Sequence, residues 1–165
     1  MYDEVERVVK SADAAKIDRV FLDMKERYSS TVYAQQSGLL VAKQYYGMGN
    51  VEGAKSALTW VIDKSSDPGY KSIAKLRLAG ILMETKAFDA ALQQLAGSFP
   101  PNFEALVADR KGDIFLFQGK RTEAISEFET AFKKFEPQTE YRRFVEVKLN
   151  SLGVDPQGGT TEGKK

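Results

Sequence analysis

The fold is decided by residues 105–137, which read ALVADRKGDIFLFQGKRTEAISEFETAFKKFEP. Gly112 lies within one helical pattern, and Gly119 ends it. Glycine has no side chain to hold two helices apart, and it readily adopts the left-handed conformation that terminates a helix. Ala124 and Phe128 then begin an apolar stripe at helical spacing. The stretch predicts two antiparallel helices that cannot bury this stripe by themselves.

The same internal spacing occurs twice more upstream. Ala79 follows Ala42 by 37 residues and precedes Gly112 by 33, against about 34 for a tetratricopeptide repeat. Each unit has a small residue, a large residue three positions later, an Ala, a second large residue and a Pro: Ala42, Tyr45, Ala54, Leu58 and Pro68; Ala79, Leu82, Ala91, Leu95 and Pro100; Gly112, Phe115, Ala124, Phe128 and Pro137.

These repeats predict an all-α protein, a tetratricopeptide-like superhelix of antiparallel helix pairs with a C-terminal capping helix. The cap should bury one side of its helix and wet the other, which carries Arg142, Arg143, Glu146 and Lys148. The inner side should carry Tyr141, Phe144, Val145, Leu149 and Leu152. The repeat domain is expected over residues 1–152, with a degenerate unit at 3–31, repeats at about 35–68, 72–101 and 105–137, a cap at 138–152, and a disordered tail at 153–165.

Composition excludes several classes of function. The 165 residues contain no Cys and no His, so thiol nucleophiles, the usual zinc sites and histidine bases are excluded. The 24 basic and 23 acidic residues nearly balance, which argues against a nucleic-acid partner. No apolar run approaches the ~20 residues of a membrane span, and the acidic start is unlike a signal peptide. We expect no cofactor and no enzyme activity.

Several segments resemble one family. The helices of the second and third repeats contain KLRLA at 75–79, FDAAL at 88–92 and VADRKGD at 107–113, followed by Gly119, Lys120 and Ala124. They resemble the tetratricopeptide-like domain of YfgM-type ancillary subunits of the bacterial SecYEG translocon. The resemblance covers roughly residues 2–152.

The resemblance implies a location and partners. Members of that family have an N-terminal transmembrane helix and place their repeats in the periplasm, at the inner membrane. They associate with the SecYEG translocon and with a membrane-anchored periplasmic prolyl isomerase, and they assist exported chains. The family has no known catalytic residues. This sequence lacks such an anchor. Membrane attachment is expected only through an N-terminal anchor of that kind.

The repeat register also predicts a partner-binding groove. In stacked hairpins, the first helix of each pair lines a concave surface. The predicted groove residues are Lys43, Tyr46, Leu76, Met83, Asp109, Asp113, Leu116 and Phe117. An alternative is that the N-terminal helices or the C-terminal helix fill this groove. Truncating Met83 and Phe117 to Ala is expected to weaken partner binding and to leave the fold intact.

Charged residues on the same helices leave further alternatives open. Arg77 and Arg110 occupy equivalent repeat positions, where they could bind a partner carboxylate or form internal ion pairs. Asp109 and Asp113 share one helix face, and a metal or acid–base pair there would lack a third ligand. The basic pairs Lys133–Lys134 and Arg142–Arg143 are expected to be solvated, with lipid headgroups or an acidic partner as alternatives.

The sequence thus favours a non-catalytic protein–protein interaction domain. Together with the resemblance, it indicates the periplasmic part of an ancillary SecYEG translocon subunit that links the translocon to periplasmic chaperones. The alternative is a tetratricopeptide adaptor of another envelope-assembly complex. An enzyme would need a site made of carboxylates alone.

Overall fold

The structure, a computed structural model, describes residues 1–158. These residues form α-helices and no strand, so the predicted all-α class is confirmed. The helices are α1 (Tyr2–Lys10), α2 (Ala14–Tyr28), α3 (Val32–Gly47), α4 (Val51–Lys64), α5 (Pro68–Glu84), α6 (Phe88–Gln94), α7 (Pro101–Phe117), α8 (Arg121–Lys134) and α9 (Glu140–Ser151). The chain divides into two compact units, unit 1 from Met1 to Thr85 and unit 2 from Lys86 onward. Within residues 1–158, no helix is both long and apolar enough to cross a bilayer.

Local sequence explains where most helices begin. Five side chains accept a hydrogen bond from the backbone N–H three residues further on, which satisfies a donor that the first turn leaves unpaired. The α5 and α7 helices also begin with proline, whose fixed φ and missing N–H suit the first helical position. The capping residues are Asp13, Thr31, Asn50, Asp67 and Thr139.

Unit 1 is built from α1–α5, and each helix packs against the next one along the chain. The α1 helix also packs on α3. The ring of Trp60 lies 5.5 Å from that of Phe21 in an edge-on arrangement, so the only tryptophan joins α4 to α2. The Oγ of Ser65 donates to Oε1 of Gln35 at 2.8 Å, which satisfies both groups inside the core.

Unit 2 is built around the hairpin that the sequence predicted. The α7 and α8 helices pack along each other, and α9 packs against α8. Gly112 faces the ring of Phe128, which is fully buried. The predicted stripe on α8 is confirmed, since its apolar residues are buried at Ala124, Phe128, Ala131 and Phe132.

One turn position has the same backbone conformation in all three repeats but not the same residue. Gly49 has a φ of 78° and Gly119 a φ of 74°, and Lys86 stands at the equivalent place with a φ of 60°. A left-handed conformation crowds the Cβ of any residue except glycine and costs roughly 1–2 kcal/mol. The turn between α5 and α6 therefore has the required geometry without the residue best suited to it.

Replacing Lys86 with Gly is expected to raise the free energy of unfolding by about 0.5–1 kcal/mol, because the strain falls while glycine gains freedom in the unfolded chain. Chemical denaturation followed by circular dichroism measures the change. Thr85→Gly is the matched control: Thr85 has a φ of −83°, so glycine should destabilise there. Equal effects of the two substitutions would contradict the assignment of strain to Lys86.

The capping helix α9 is rotated relative to the prediction. Val145 and Leu149 are buried as expected, but Tyr141 is 59% exposed and Phe144 is 60% exposed. The prediction for these two aromatic residues was therefore wrong. A helix packed on one neighbour buries a narrow stripe, and the two residues lie beside that stripe.

The first residues of the predicted disordered tail, 153–158, belong to the described structure. Val154 packs against the core of unit 2, and the Nε2 of Gln157 donates to Oε1 of Glu146 at 2.6 Å. These contacts correct the predicted boundary. The rest of the predicted tail, residues 159–165, lies outside the described residues.

Candidate protein-interaction surface

The eight predicted groove residues divide equally between the two units, and each set is described by itself. Unit 1 has its four on α3 and α5, and unit 2 has its four on α7. The sets are Lys43, Tyr46, Leu76 and Met83 in unit 1, and Asp109, Asp113, Leu116 and Phe117 in unit 2.

In unit 1, three polar contacts join the first helices of successive repeats. Tyr46 donates its hydroxyl hydrogen to the carboxylate of Glu84, and this hydrogen bond raises the pKa of Tyr46 above its ordinary value. Nη1 of Arg77 donates to the carbonyl oxygen of Leu39 at 3.2 Å. These contacts, with a third from Nε2 of Gln36 to the hydroxyl of Tyr70 at 2.7 Å, form a polar seam between α3 and α5.

The seam includes the hydrogen-bond partner of the Arg77 guanidinium group. The sequence suggested a partner carboxylate or an internal ion pair, but its described partner is a backbone carbonyl. Lys43 is exposed and Leu76 is half-buried, so both remain accessible in unit 1.

Met83 differs from the other groove residues of unit 1, because only 9% of its surface is exposed. The prediction that Met83 contacts a partner is therefore contradicted. Truncating it to Ala would remove buried packing and leave a cavity, which destabilises the fold. Such a variant cannot serve as a binding probe. The sequence pattern could not reveal this, since a buried methionine and a groove methionine have the same spacing.

In unit 2, the carboxylates of the two acidic groove residues are paired with a lysine of the same chain. Nζ of Lys148 on α9 donates to Oδ1 of Asp109 at 2.7 Å and to Oδ1 of Asp113 at 2.8 Å. Burial raises the pKa of Asp109 above its ordinary value, the bond and charge of Lys148 oppose that rise, and the charge of Asp113 adds to it. The ammonium group also lies 5.0 Å from the centre of the Phe128 ring.

This arrangement corrects two interpretations. Asp109 and Asp113 are not an open acidic part of a groove, because α9 supplies their cation. Lys148 was predicted on the solvated side of α9, yet its long side chain reaches α7. Among residues 1–158, no three potential metal ligands cluster together. One side chain of the C-terminal helix, that of Lys148, therefore reaches the predicted groove at these two positions.

The other two groove residues of unit 2 are exposed. Leu116 is 40% exposed and Phe117 is 69% exposed, at the C-terminal end of α7. Phe117 is the most exposed large apolar side chain of the described chain. Aromatic residues are enriched at protein interfaces, so the exposed ring of Phe117 makes this end of α7 a candidate contact surface.

A second exposed apolar strip lies on α9 and was missed by the sequence analysis. It consists of Tyr141, Phe144 and Val147, which are spaced three residues apart and are 59–64% exposed. The spacing is visible in the sequence, but the prediction places its aromatic residues in the core. Tyr141 stacks on the ring of Phe135, with 5.8 Å between the ring centres.

The fold and the exposed apolar positions are those of a helical-repeat domain. Residues 1–154 match the family model described as a tetratricopeptide repeat-like domain, and the chain belongs to that family. It is 27% identical over 148 residues to the ancillary SecYEG translocon subunit of Neisseria gonorrhoeae. The aligned residues cover 90% of this chain and 71% of that protein.

Two further relatives have the same description. The ancillary SecYEG translocon subunit of Escherichia coli is 27% identical over 126 residues, covering 76% of this chain and 61% of that protein. The one from Buchnera aphidicola is 23% identical over 124 residues, covering 75% and 64%. The chain thus spans about three fifths to seven tenths of these relatives. The resemblance found in the sequence is confirmed.

Proposed function

We propose that this chain is a non-catalytic protein–protein interaction domain that associates with the SecYEG translocon from the periplasmic side of the inner membrane. Its partners would be the translocon, a membrane-anchored periplasmic prolyl isomerase and exported chains, so that it links the translocon to periplasmic chaperones. The observation that carries the proposal is the exposure of Phe117 at a predicted contact position of a tetratricopeptide repeat-like fold.

Two further observations support this function. The relatives over most of the chain are described as ancillary translocon subunits. The helix that carries Leu116 and Phe117 is also tied to α9 by Lys148, which helps to hold the backbone under these two side chains. A contact on a pre-formed helix loses little backbone entropy on binding. Lys43, Tyr46 and Leu76 remain proposed contacts in unit 1. We no longer propose Met83, which is buried, or Asp109 and Asp113, whose carboxylates pair with Lys148.

Site-specific crosslinking in intact membranes tests the proposal. A photoreactive residue replaces Phe117 in the full-length protein, and Ser126, exposed on α8 of the same unit, is the control position. We expect adducts with translocon subunits or with the prolyl isomerase from position 117 and not from position 126. Adducts only with other envelope-assembly proteins would favour the alternative adaptor, and equal adducts at both positions would reject this surface.

The variant Phe117→Ala should weaken capture of the same partners about tenfold or more, the effect of removing a central aromatic contact. Phe117→Leu keeps much of the apolar surface and should weaken it less. Circular dichroism should show the same helical content in both, because the ring is exposed. Retained capture by Phe117→Ala would contradict a role for this residue.

A further inference from the structure

An open cleft of about 330 Å³ lies at the C-terminal end of unit 2, between α8, α9 and the segment that follows α9. It is separate from the contact positions on α7, since none of its lining residues belongs to that helix. Phe132, Pro137 and Pro156 contribute its apolar lining, and polar side chains contribute the larger part. Arg142 and Arg143 line it as well, so the basic pair singled out in the sequence is not simply a solvated face.

The guanidinium group of Arg142 is fixed but incompletely bonded. It lies 4.1 Å from the centre of the Phe132 ring, which holds it by stacking. Its Nε atom is buried and has no hydrogen-bond partner. A buried donor without an acceptor costs roughly 1–3 kcal/mol. The Nε atom is closed to a ligand as it is to water, so an acceptor in the cleft would pair with the Nη atoms of this guanidinium, which are not among the buried unpaired atoms.

The cleft supplies little negative charge of its own. Neither Arg142 nor Arg143 forms an ion pair with a residue of the described chain. The carboxylate that lines the cleft, Glu146, accepts a hydrogen bond from the side-chain amide of Gln157 at 2.6 Å. The lining therefore has two guanidinium groups and one carboxylate, a net charge of about +1 at neutral pH.

We propose that this cleft binds the C-terminal carboxylate of a polypeptide partner, with the adjoining apolar side chain against Pro137 and Pro156. The planar fork of a guanidinium matches a carboxylate in two parallel hydrogen bonds. A net charge near +1 suits a monoanion better than a phosphate dianion. The apolar part of the lining offers an organic carboxylate a contact that an inorganic anion cannot use, and a cleft of this volume accommodates a terminal residue.

The proposal rests on the proposed function, because it assumes a protein partner, but it concerns a different surface. Binding at the cleft is measured with a small probe on the intact chain, whereas the proposed function is tested by crosslinking from position 117. A failed probe experiment would leave the crosslinking result standing, and absent crosslinks would leave the probe result standing. The two failures are therefore distinguishable.

The probe is N-acetyl-L-leucine, and its matched control is N-acetyl-L-leucinamide, which lacks the carboxylate. Nuclear magnetic resonance of the ¹⁵N-labelled protein follows the Nε–H signal of Arg142 and the side-chain amide of Gln157. We expect saturable shifts of both signals with N-acetyl-L-leucine and none with the amide. Arg143→Gln should weaken binding about tenfold, as for loss of one charge-assisted hydrogen bond. Lys133→Gln, an equal charge change outside the cleft, should leave binding unchanged.

Arg142→Lys keeps the positive charge but loses the planar guanidinium fork. It should weaken binding by a similar factor, measured from the side-chain amide signal of Gln157. If that variant unfolds, Arg143→Gln still decides, because Arg143 is exposed. Equal binding of the amide, or no shift up to the solubility limit of the probe, would overturn the proposal. Inorganic phosphate that binds as tightly as N-acetyl-L-leucine would also overturn the proposal. Probe binding that appears only after residues 159–165 are deleted would do the same, because the chain itself would then occupy the cleft.

Discussion

Replacing Gly112 with Leu is expected to lower the free energy of unfolding by about 3 kcal/mol, the upper range for overpacking a core. A Cβ placed on Gly112 would lie 2.5 Å from both Cδ1 and Cε1 of Phe128. The Phe128 ring is 0% exposed, so it cannot move away without disturbing the core of unit 2. Urea unfolding followed by circular dichroism measures the loss.

The matched control for this substitution is Gly47→Ala. Gly47 also lies in a helix, but a Cβ placed on it would meet no neighbouring heavy atom within 4 Å, so alanine should be neutral or slightly stabilising. Gly112→Ala should fall between the control and Gly112→Leu, because it introduces the clash but gains helix propensity. A stability of Gly112→Leu within about 1 kcal/mol of the parent would show that the α7–α8 contact can relax.

Replacing Lys148 with Met is expected to lower the free energy of unfolding by about 2 kcal/mol at neutral pH. Methionine keeps the apolar stem but leaves the Asp109 and Asp113 carboxylates without their shared cation. Breaking a fully buried pair costs roughly 3–5 kcal/mol. The smaller figure applies because the two aspartates are 22% exposed and Lys148 is 30% exposed, so water screens part of the loss.

This loss of stability should depend on pH in a defined direction. Burial already raises the pKa of Asp109, and removing Lys148 takes away the main opposing cause. A carboxyl group whose pKa is higher in the folded state destabilises the fold progressively as pH rises from its unfolded-state pKa to its folded-state pKa. The effect of Lys148→Met should therefore be smallest below about pH 4, near the ordinary pKa of Asp, and fully present at pH 7.

A compensating variant checks the cause. Asp109→Asn and Asp113→Asn, added to Lys148→Met, remove both uncompensated charges and should restore much of the stability lost at pH 7. A loss that is independent of pH, or that the two asparagines leave unchanged, would mean that Lys148 acts through its packing and not through its charge.

Much of the fold could be predicted because its signals are local. Gly112 and Phe128 lie within one hairpin, and the caps Asp13 and Thr31 act on amides three residues away. Such interactions recur at fixed spacings in the sequence. The three turns could be aligned for the same reason, even though Lys86 replaces the expected glycine.

The surface was harder to predict because it depends on contacts between distant residues. Lys148 lies 35 residues beyond Asp113, and a helical pattern classifies it only as polar. The periodicity of α9 could not decide how far the helix rotates on α8, so Phe144 was placed in the core. Tyr46 and Glu84 are 38 residues apart, and no local pattern signals their contact. Phe117 is exposed, as its place in the repeat register predicts, and its contact with a partner stays a prediction.

The uncapped turn before α6 has a consequence for local opening. The α6 helix has seven residues, no side-chain hydrogen bond at its N-cap Ala87, and the left-handed Lys86 immediately before it. Helices this short gain little from cooperativity, and their amides depend on neighbouring packing for protection. Amide hydrogens of α6 should therefore exchange with solvent earlier than those of α7 and α8, so the chain would begin to loosen where unit 2 begins.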